Sequence, residues 1–299
     1  MAASTAELNA MTMLLMRPTG PADINAYASD DGTALTLAIA RNQVDSVKHL
    51  LKYRADANLT GPGLEPPLAL AASTGNKDLV KLIMDAGGYQ NVQSPTYGSA
   101  LAAAASSSNL EIVQIIIPYD HSLGSCQHAL ERAATVMSKD IVDFLLKNVR
   151  GLQCDAAFTN AAAKGSNEIL RMLWSYSNGS ISQKSKNDSL YTATDFELKD
   201  TVELLLSMRA DPNSEGEEYG NALTAAAYDG TTEIVTLLLN AGAHIRHPAG
   251  YPLQAAASQG HEDVVTLLLQ KGADVNEVNT KIDAGTALQV RSLGVQDWI

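Results

Sequence analysis

The chain has 299 residues, a formal charge of −12 at neutral pH and a pI near 4.9. A sequence-independent grip on nucleic-acid phosphate needs clustered lysine and arginine, so this composition argues against a nucleic-acid partner. An anionic membrane surface is disfavoured on the same ground. No apolar run in the sequence reaches the roughly eighteen residues of a membrane span. We therefore expect no nucleic acid and no membrane as partners, and we expect the acidity to favour a partner with a basic patch.

Residues 1–30 do not contain a complete copy of the pattern that dominates the rest of the chain. Leu14-Leu15 followed by residues 20–25 resembles the second helix and loop of a repeat whose first half is missing. We predict a partial N-terminal capping repeat over residues 1–30, with a chain cut from a longer array as the alternative. No basic residue precedes the short apolar run of residues 11–16, which argues against a signal peptide.

From residue 31 onward one pattern recurs, and it is clearest over residues 219–243. Apolar residues three and four apart indicate two short helices, and Asp229-Gly230 separates the first helix from the second. With Leu223 taken as the anchor of this pattern, its first half also recurs at Leu288. The other complete copies have their anchors at Leu35, Leu68, Leu101, Leu130, Phe158, Leu190 and Leu253.

Neighbouring anchors are 28 to 35 residues apart, and the length changes fall between helix pairs rather than within them. Self-similarity at a nearly fixed period is typical of a stacked repeat array. Two helices of about ten residues cannot bury their apolar faces alone, because chain ordering costs more than one pair returns. We predict an all-α solenoid of stacked helix-turn-helix units with short hairpin loops over residues 31–299, with about eight repeats and a C-terminal half-repeat.

Residues 118–187 form the least regular part of the predicted array. The two connections on either side of Leu130 are short, which predicts trimmed hairpin loops. Residues 175–189 are rich in serine, asparagine and lysine, yet the spacing from Phe158 to Leu190 is ordinary. We therefore predict a polar hairpin loop for residues 175–189 rather than a linker.

A search for catalytic chemistry finds candidates that all have a structural interpretation. His261-Glu262-Asp263 resembles an acid–base cluster, but its place at the start of a second helix predicts a structural role. His244 and His247 share a loop, and we interpret them as a solvated pair. The sequence has no phosphate-binding glycine loop and no recognisable Ser-His-Asp context. We predict no catalysis and no cofactor.

The two cysteines, Cys126 and Cys154, each lie four residues before an anchor and so occupy equivalent places in neighbouring repeats. Packed helices lie roughly 8–10 Å apart, which exceeds the usual Cα separation of a disulfide. We therefore expect free thiols and a reducing compartment, the cytoplasm, with the nucleus as the alternative. A zinc site that adds His121 and His128 to these cysteines lacks supporting ligand spacing, so we expect no metal.

These features resemble the ankyrin-repeat family, whose helix-turn-helix units and hairpin loops repeat every 33 residues or so. Several loops end in the family's Ala-Asp-Xaa-Asn motif, at residues 55–58, 210–213 and 273–276. The opening motif departs from the family's Thr-Pro-Leu-His, since the chain has Gly-Thr-Ala-Leu at 32–35, Gly-Ser-Ala-Leu at 98–101 and Gly-Asn-Ala-Leu at 220–223. The Tyr-Gly-Asn-Ala-Leu variant before an alanine run is similar to ankyrin arrays of filamentous fungi.

The resemblance implies a protein-protein interaction scaffold or adaptor, which grips a protein partner in a concave groove lined by first helices and hairpin tips. Residues five and six positions after each anchor should face that groove. Aromatic and charged residues concentrate binding energy, and they are preferred here as partner-binding residues. The preferred residues are Arg41, Lys164, Phe196, Tyr228 and Asp229, together with Glu217 and Glu218 of the most acidic hairpin. The other groove positions are Ser73, Thr74, Ser106, Ser107, Asp195, Ser258 and Gln259.

Alternatives remain open for the groove and for the chain. If the groove assignment is wrong, we expect the serine-rich positions to be merely solvated and Phe196 to pack under its own loop. Tyr97 and Tyr219 share a register that favours a structural role. We expect a monomer, and the alternative function is the regulatory or recognition arm of a larger signalling ATPase, present here as a fragment. The incomplete repeats at both ends suggest that alternative, because similar fungal arrays often follow a nucleotide-binding domain.

Overall fold

The computed structural model describes residues 23–27, 32–60, 65–88, 93–216, 219–246 and 250–276. Within these residues the chain forms sixteen α-helices and no β-strand, which confirms the predicted all-α repeat solenoid. The isolated β-bridges found in these ranges pair Tyr27 with Thr33, Ser94 with Gly98 and Glu215 with Asn221. The chain divides into two compact units, Met1–Gln153 and Cys154–Ile299, with four helix pairs described in each.

In unit 1, first helices pack on first helices and second helices on second helices, which gives two layers. The helices of unit 1 are α1 (Ala34–Ala40), α2 (Val44–Lys52), α3 (Pro67–Ser73), α4 (Lys77–Asp85), α5 (Ala100–Ser106), α6 (Leu110–Ile116), α7 (Leu123–Thr135) and α8 (Lys139–Asn148). Odd-numbered helices are the first helices of each pair.

Unit 2 has the same two-layer arrangement of first and second helices. Its helices are α9 (Asp155–Ala163), α10 (Asn167–Tyr176), α11 (Gln183–Asp195), α12 (Lys199–Ser207), α13 (Ala222–Asp229), α14 (Thr232–Asn240), α15 (Pro252–Gln259) and α16 (Glu262–Gln270).

The apolar core is built from the same positions in every repeat. All eight anchors are buried, and so are the residues three and four positions after them, most of which are alanine. Small side chains at these positions allow first helices to pack at the close end of the usual 8–10 Å range. The core of each unit therefore depends on contacts between neighbouring repeats rather than within one repeat.

The residue seven positions after each anchor makes the tight turn between the two helices of a pair. Its φ angle is positive in all eight repeats, at Asn42, Gly75, Ser108, Met137, Gly165, Glu197, Gly230 and Gly260. A left-handed conformation costs an L-residue roughly 1–2 kcal/mol, yet four of these residues are not glycine. The turn geometry is therefore imposed by the packing of the helix pair, with glycine as a preference and not a requirement.

The departure of the opening motif from the family pattern has a local explanation. The second residue of the motif is an N-cap, because the side chains of Thr33, Ser99 and Asn221 each accept a hydrogen bond from the backbone N–H three residues later. The preceding glycine has positive φ, as at Gly32 and Gly98. The Gly-Xaa-Ala-Leu motif thus ends a hairpin and starts a helix within two residues.

Loop asparagines join neighbouring repeats. Asn58 donates from Nδ2 to the Gly87 carbonyl oxygen at 3.0 Å. Asn213 makes the same bond to Gly242 at 3.0 Å and also accepts from the His244 backbone N–H at 2.7 Å. The asparagine of the Ala-Asp-Xaa-Asn motif therefore satisfies backbone groups of the next loop.

Where the loops are trimmed, a residue three positions before the anchor makes this connection instead. Gln127 donates from Nε2 to the Gln153 carbonyl at 2.8 Å and accepts from the Gln153 N–H at 2.9 Å. Asn187 accepts from the Asp211 N–H at 2.8 Å. Both side chains lie on first helices that have been extended to thirteen residues.

The predicted hairpin loop at residues 175–189 is wrong for most of its length. Helix α10 continues to Tyr176 and α11 begins at Gln183, so the connection is only residues 177–182. Ser182 caps α11, and an ion pair between Lys184 and Asp188 at 2.6 Å supports its first turns. A helical extension of α11 takes the place of a hairpin of similar length. The spacing between anchors is therefore ordinary and does not reveal that the hairpin is absent.

Replacing the buried Ala226 with leucine should destabilise unit 2 by about 1–3 kcal/mol, because the larger side chain overpacks the seam between first helices. Chemical denaturation followed by circular dichroism measures the change. Ala156→Leu is the matched control, since Ala156 is exposed on the first helix α9. Equal stabilities of the two variants would contradict close packing at Ala226.

Alanine substitutions at two turn glycines distinguish the stability cost of a positive φ angle from that of a steric clash. Gly230 and Gly260 have φ angles of 75° and 77°, so alanine at either position should cost roughly 1 kcal/mol. A Cβ at Gly230 would also clash with the His261 ring, whereas a Cβ at Gly260 would meet nothing within 4 Å. Denaturation should show that Gly230→Ala loses more stability than Gly260→Ala. Equal losses would mean that the His261 contact contributes nothing.

Candidate protein-binding surface

The predicted groove positions lie where the first helices end, and we call them the helix-end surface: the residues five and six positions after each anchor. In the first six repeats the sixth position is the C-cap of the first helix, as at Arg41, Lys164 and Phe196. In the last two repeats the helix extends one residue further and ends at glycine. Side chains at these positions are therefore carried on helix ends, which the packed array holds in place.

The serine and threonine members of this surface are internally bonded. Each hydroxyl donates to a carbonyl oxygen of its own helix at 2.7 to 3.0 Å, namely Ser73, Thr74, Ser106, Ser107 and Ser258. All five are half-buried. Because their donors already have partners within the helix, they shape the surface more than they offer new hydrogen bonds.

Phe196, Lys164 and Gln259 are the exposed members of this surface in unit 2. The Phe196 side chain is 56% exposed, so the alternative in which it packs under its own loop is wrong. Lys164 is exposed at the equivalent C-cap of the preceding first helix and makes no ion pair with any residue in the described ranges. An aromatic ring and a cation on neighbouring helix ends form an unusual pair on a surface otherwise rich in hydroxyl groups.

Tyr228 serves the array as well as its surface. Its ring lies 4.8 Å from the ring of Tyr219, centroid to centroid. Its carbonyl oxygen lies 2.8 Å from His261 Nε2, at hydrogen-bond distance. Tyr228 and Asp229 are both half-buried, and Asp229 also interacts within the chain. Substitution of Tyr228 would therefore remove the ring contact with Tyr219, whereas the contact with His261 is made by the backbone.

The same contacts confirm the structural interpretation of His261, which is the N-cap residue of α16 and joins two repeats. Tyr219 and Tyr97 also make contacts inside their units, because the Arg132 guanidinium lies 5.9 Å from the Tyr97 ring centroid. Both contacts agree with the structural role that their shared register favours.

The remaining predicted residues are placed as follows. Arg41 is exposed at the C-cap of α1 in unit 1. Glu215 is exposed at the base of the acidic hairpin, where it pairs with Asn221. Glu217 and Glu218 lie outside the described residues. His244 is exposed, and His247 also lies outside the described residues.

Sequence reasoning missed a group of exposed apolar residues in unit 1. Tyr119 and Leu123 are 58% and 52% exposed, and Met137 is 54% exposed at a turn between helices. Tyr119 lies in the trimmed connection that the anchor spacing revealed, and Leu123 is the first residue of the helix after it. The short anchor spacing could therefore have predicted these exposed residues, because a connection without a hairpin leaves apolar residues at helix ends uncovered.

The two cysteines are buried free thiols. Burial raises the pKa of the Cys154 thiol to about 11, and the neighbouring Asp155 carboxylate adds to the rise. Burial and then Asp120 also raise the pKa of the Cys126 thiol. Both thiols are therefore protonated in the folded protein at neutral pH, which makes them poor nucleophiles.

Two further properties of the described residues bear on function. Across the described ranges, no three histidine, cysteine, aspartate or glutamate side chains lie close enough to hold a metal ion. None of the helices in those ranges is both long and apolar enough to cross a membrane.

The fold defines a class of protein, a solenoid of helical repeats in which side chains are displayed on helix ends. A family model for ankyrin repeats in three copies matches residues 68–157 and 209–279, and a model for a single ankyrin repeat matches residues 30–62. These matches cover more than half of the chain, and the chain belongs to the ankyrin-repeat family. A search of the curated proteins finds no match. The resemblance to fungal arrays stays a prediction.

The family matches pass over residues 158–208, yet that stretch has the same geometry as the rest. Its two repeats have buried anchors, and their turn residues Gly165 and Glu197 have positive φ. The stretch also contains Lys164 and Phe196. The repeats that the family models pass over thus carry two of the exposed predicted residues.

Cys154 should react slowly with iodoacetamide in the folded protein, because at pH 8 only about one thiol in a thousand is ionised when the pKa is about 11. Mass spectrometry of the alkylated chain measures the rate, with the urea-unfolded chain as control. Since the folded pKa exceeds the unfolded value, this thiol's contribution to stability is lost as pH rises through about 11. Equal alkylation rates in folded and unfolded chains would contradict the assignment.

Proposed function

We propose that this protein is a non-enzymatic interaction module, a scaffold or adaptor that captures a protein partner on the helix-end surface. The exposure of Phe196 and Lys164, the C-cap residues of two neighbouring first helices, is the observation that carries the proposal. An exposed aromatic side chain loses a large hydrated area on binding, and aromatic and charged residues dominate measured interface energies. Membership of the ankyrin-repeat family supports the same conclusion, because such repeats are generally protein-protein interaction modules.

The array suits this task because its side chains are already held in place. Each residue of the surface ends a first helix that is packed against at least one neighbouring first helix of its own unit. Binding then immobilises few new degrees of freedom, so less of the interaction energy is lost to ordering.

Charge supports a partner with a basic patch. The chain carries a net charge of −12, and exposed Glu197 follows Phe196 directly. Opposite charge on a partner would raise the association rate, with a strong dependence on salt. A monomeric protein in the cytoplasm or nucleus fits this proposal. The alternative of a signalling-ATPase arm receives no support from the family matches, which describe ankyrin repeats alone.

Substitution of the exposed pair should remove partner binding without unfolding the chain. Affinity capture from the source cell, followed by mass spectrometry, would compare wild type with the Lys164→Ala/Phe196→Ala variant. Loss of a specific partner, and a dissociation constant raised at least about tenfold for that partner, is the expected result. Tyr228 is left unchanged because its ring also packs against Tyr219 within the array.

The control is Leu269→Ala, which removes an exposed leucine from the second helix α16. Circular dichroism should be the same for all three proteins. Undiminished capture by the Lys164→Ala/Phe196→Ala variant would show that the partner binds elsewhere.

A further inference from the structure

An open cleft of about 530 Å³ lies in unit 1 at the ends of the second helices α6 and α8. Most of its wall is apolar, and three polar residues stand among the lining. The lining residues are Ile117, Pro118, His121, Leu123, Phe144, Asn148, Val149 and Arg150. They belong to the second helix α8, to the connections that follow α6 and α8, and, for Leu123, to the first residue of α7.

The cleft is a consequence of the trimmed connections. After α6 the chain needs only residues 117–122 to reach the N-cap Ser122, whose hydroxyl accepts from the Ser125 N–H at 3.2 Å. Gln127 holds the next connection through its two bonds to Gln153. No hairpin therefore projects over the end of α6, and Leu123 begins α7 with about half of its side chain in solvent.

The charge at the rim has a definite sign. Arg150 is exposed, and its guanidinium forms no ion pair or hydrogen bond with any residue in the described ranges. The nearby Lys147 is paired with Asp143 at 2.6 Å. Asp120 is buried and accepts a hydrogen bond from the Ser122 hydroxyl at 3.1 Å. Among the lining residues Arg150 carries a full charge, and that charge is positive, although the chain as a whole is strongly acidic; the Asp120 carboxylate is buried and is not part of the lining.

We propose that this cleft binds a segment of a partner protein that places a bulky apolar side chain beside a carboxylate. The apolar side chain would be buried against Leu123 and Phe144, where about 25 cal/mol is gained for each Å² of apolar surface removed from water. The carboxylate would receive paired hydrogen bonds from the Arg150 guanidinium, whose fork matches its geometry. Exposed apolar surface rimmed by a polar group is typical of interaction sites.

This cleft is separate from the helix-end surface. Leu123 is the first residue of α7, whereas Met137 follows the other end of the same helix. Thirteen helical residues span roughly 20 Å at 1.5 Å per residue. The two surfaces of unit 1 can therefore be tested independently.

Selection of a phage-displayed library of random twelve-residue peptides on the immobilised full-length chain tests the proposal. Wild type should enrich peptides with an aromatic or branched aliphatic residue within three positions of aspartate or glutamate. Leu123→Asp should lose them, and a synthetic consensus peptide should bind this variant at least about tenfold more weakly. Aspartate in the first turn of α7 is compatible with the helix, so folding should be preserved.

Two further variants make the outcome specific. Met137→Asp is the matched control, because Met137 has similar exposure in the same unit and aspartate tolerates a positive φ. It should select the same peptides as wild type. Arg150→Glu should invert the charge preference, so that lysine or arginine replaces the acidic residue in the selected peptides.

Several results would overturn the proposal. These are the absence of any consensus, a consensus without an acidic residue, and binding that survives both Leu123→Asp and Arg150→Glu. Sedimentation of the purified chain adds a further test: a dimer that Leu123→Asp dissociates would assign the cleft to a second copy of the chain. Loss of partner capture in the Lys164→Ala/Phe196→Ala variant would leave this peptide binding unchanged, so failure of one proposal is distinguishable from failure of the other.

Discussion

A pair of short helices cannot bury its own apolar faces, and the rest of this structure depends on that constraint. Each first helix has seven to thirteen residues, too few for stability without tertiary packing. The buried anchors and the small residues after them contact neighbouring repeats, so every repeat is part of its neighbours' core. The left-handed turn at non-glycine residues such as Met137 and Glu197 follows from the same constraint, because packing overrides local preference.

Repeats are joined by polar contacts in two ways. Regular repeats use the loop asparagine, as at Asn58 and Asn213, while extended first helices use a side chain three positions before the anchor, as at Gln127 and Asn187. In both cases a side-chain amide satisfies backbone groups in a loop that lacks regular structure. The second solution removes the hairpin, and in unit 1 it leaves an apolar cleft whose rim charge is set by Arg150.

The recurring pattern predicted the fold, the anchors and the turns because it depends on short-range spacing. The pattern failed at residues 175–189, where polar composition concealed helix α11; the Ser182 cap and the Lys184–Asp188 pair were the available signals. Contacts between residues about thirty positions apart are not visible in a local pattern. Hence the contact of the Tyr228 carbonyl with His261 was not predicted, and the exposure of Phe196 was not distinguishable from burial under its loop.

Buried, repeating positions form the scaffold and hold a few exposed side chains at its surface, and contacts between nearest-neighbour repeats stabilise that scaffold. Native-state hydrogen exchange of Leu253→Ala tests this most directly, since Leu253 is a buried anchor in α15. The protection of backbone amides from exchange should fall most in α13, α15 and α16 and least in α9 and α10. An equal fall throughout α9–α16 would show that unit 2 has one indivisible core, and would contradict the account.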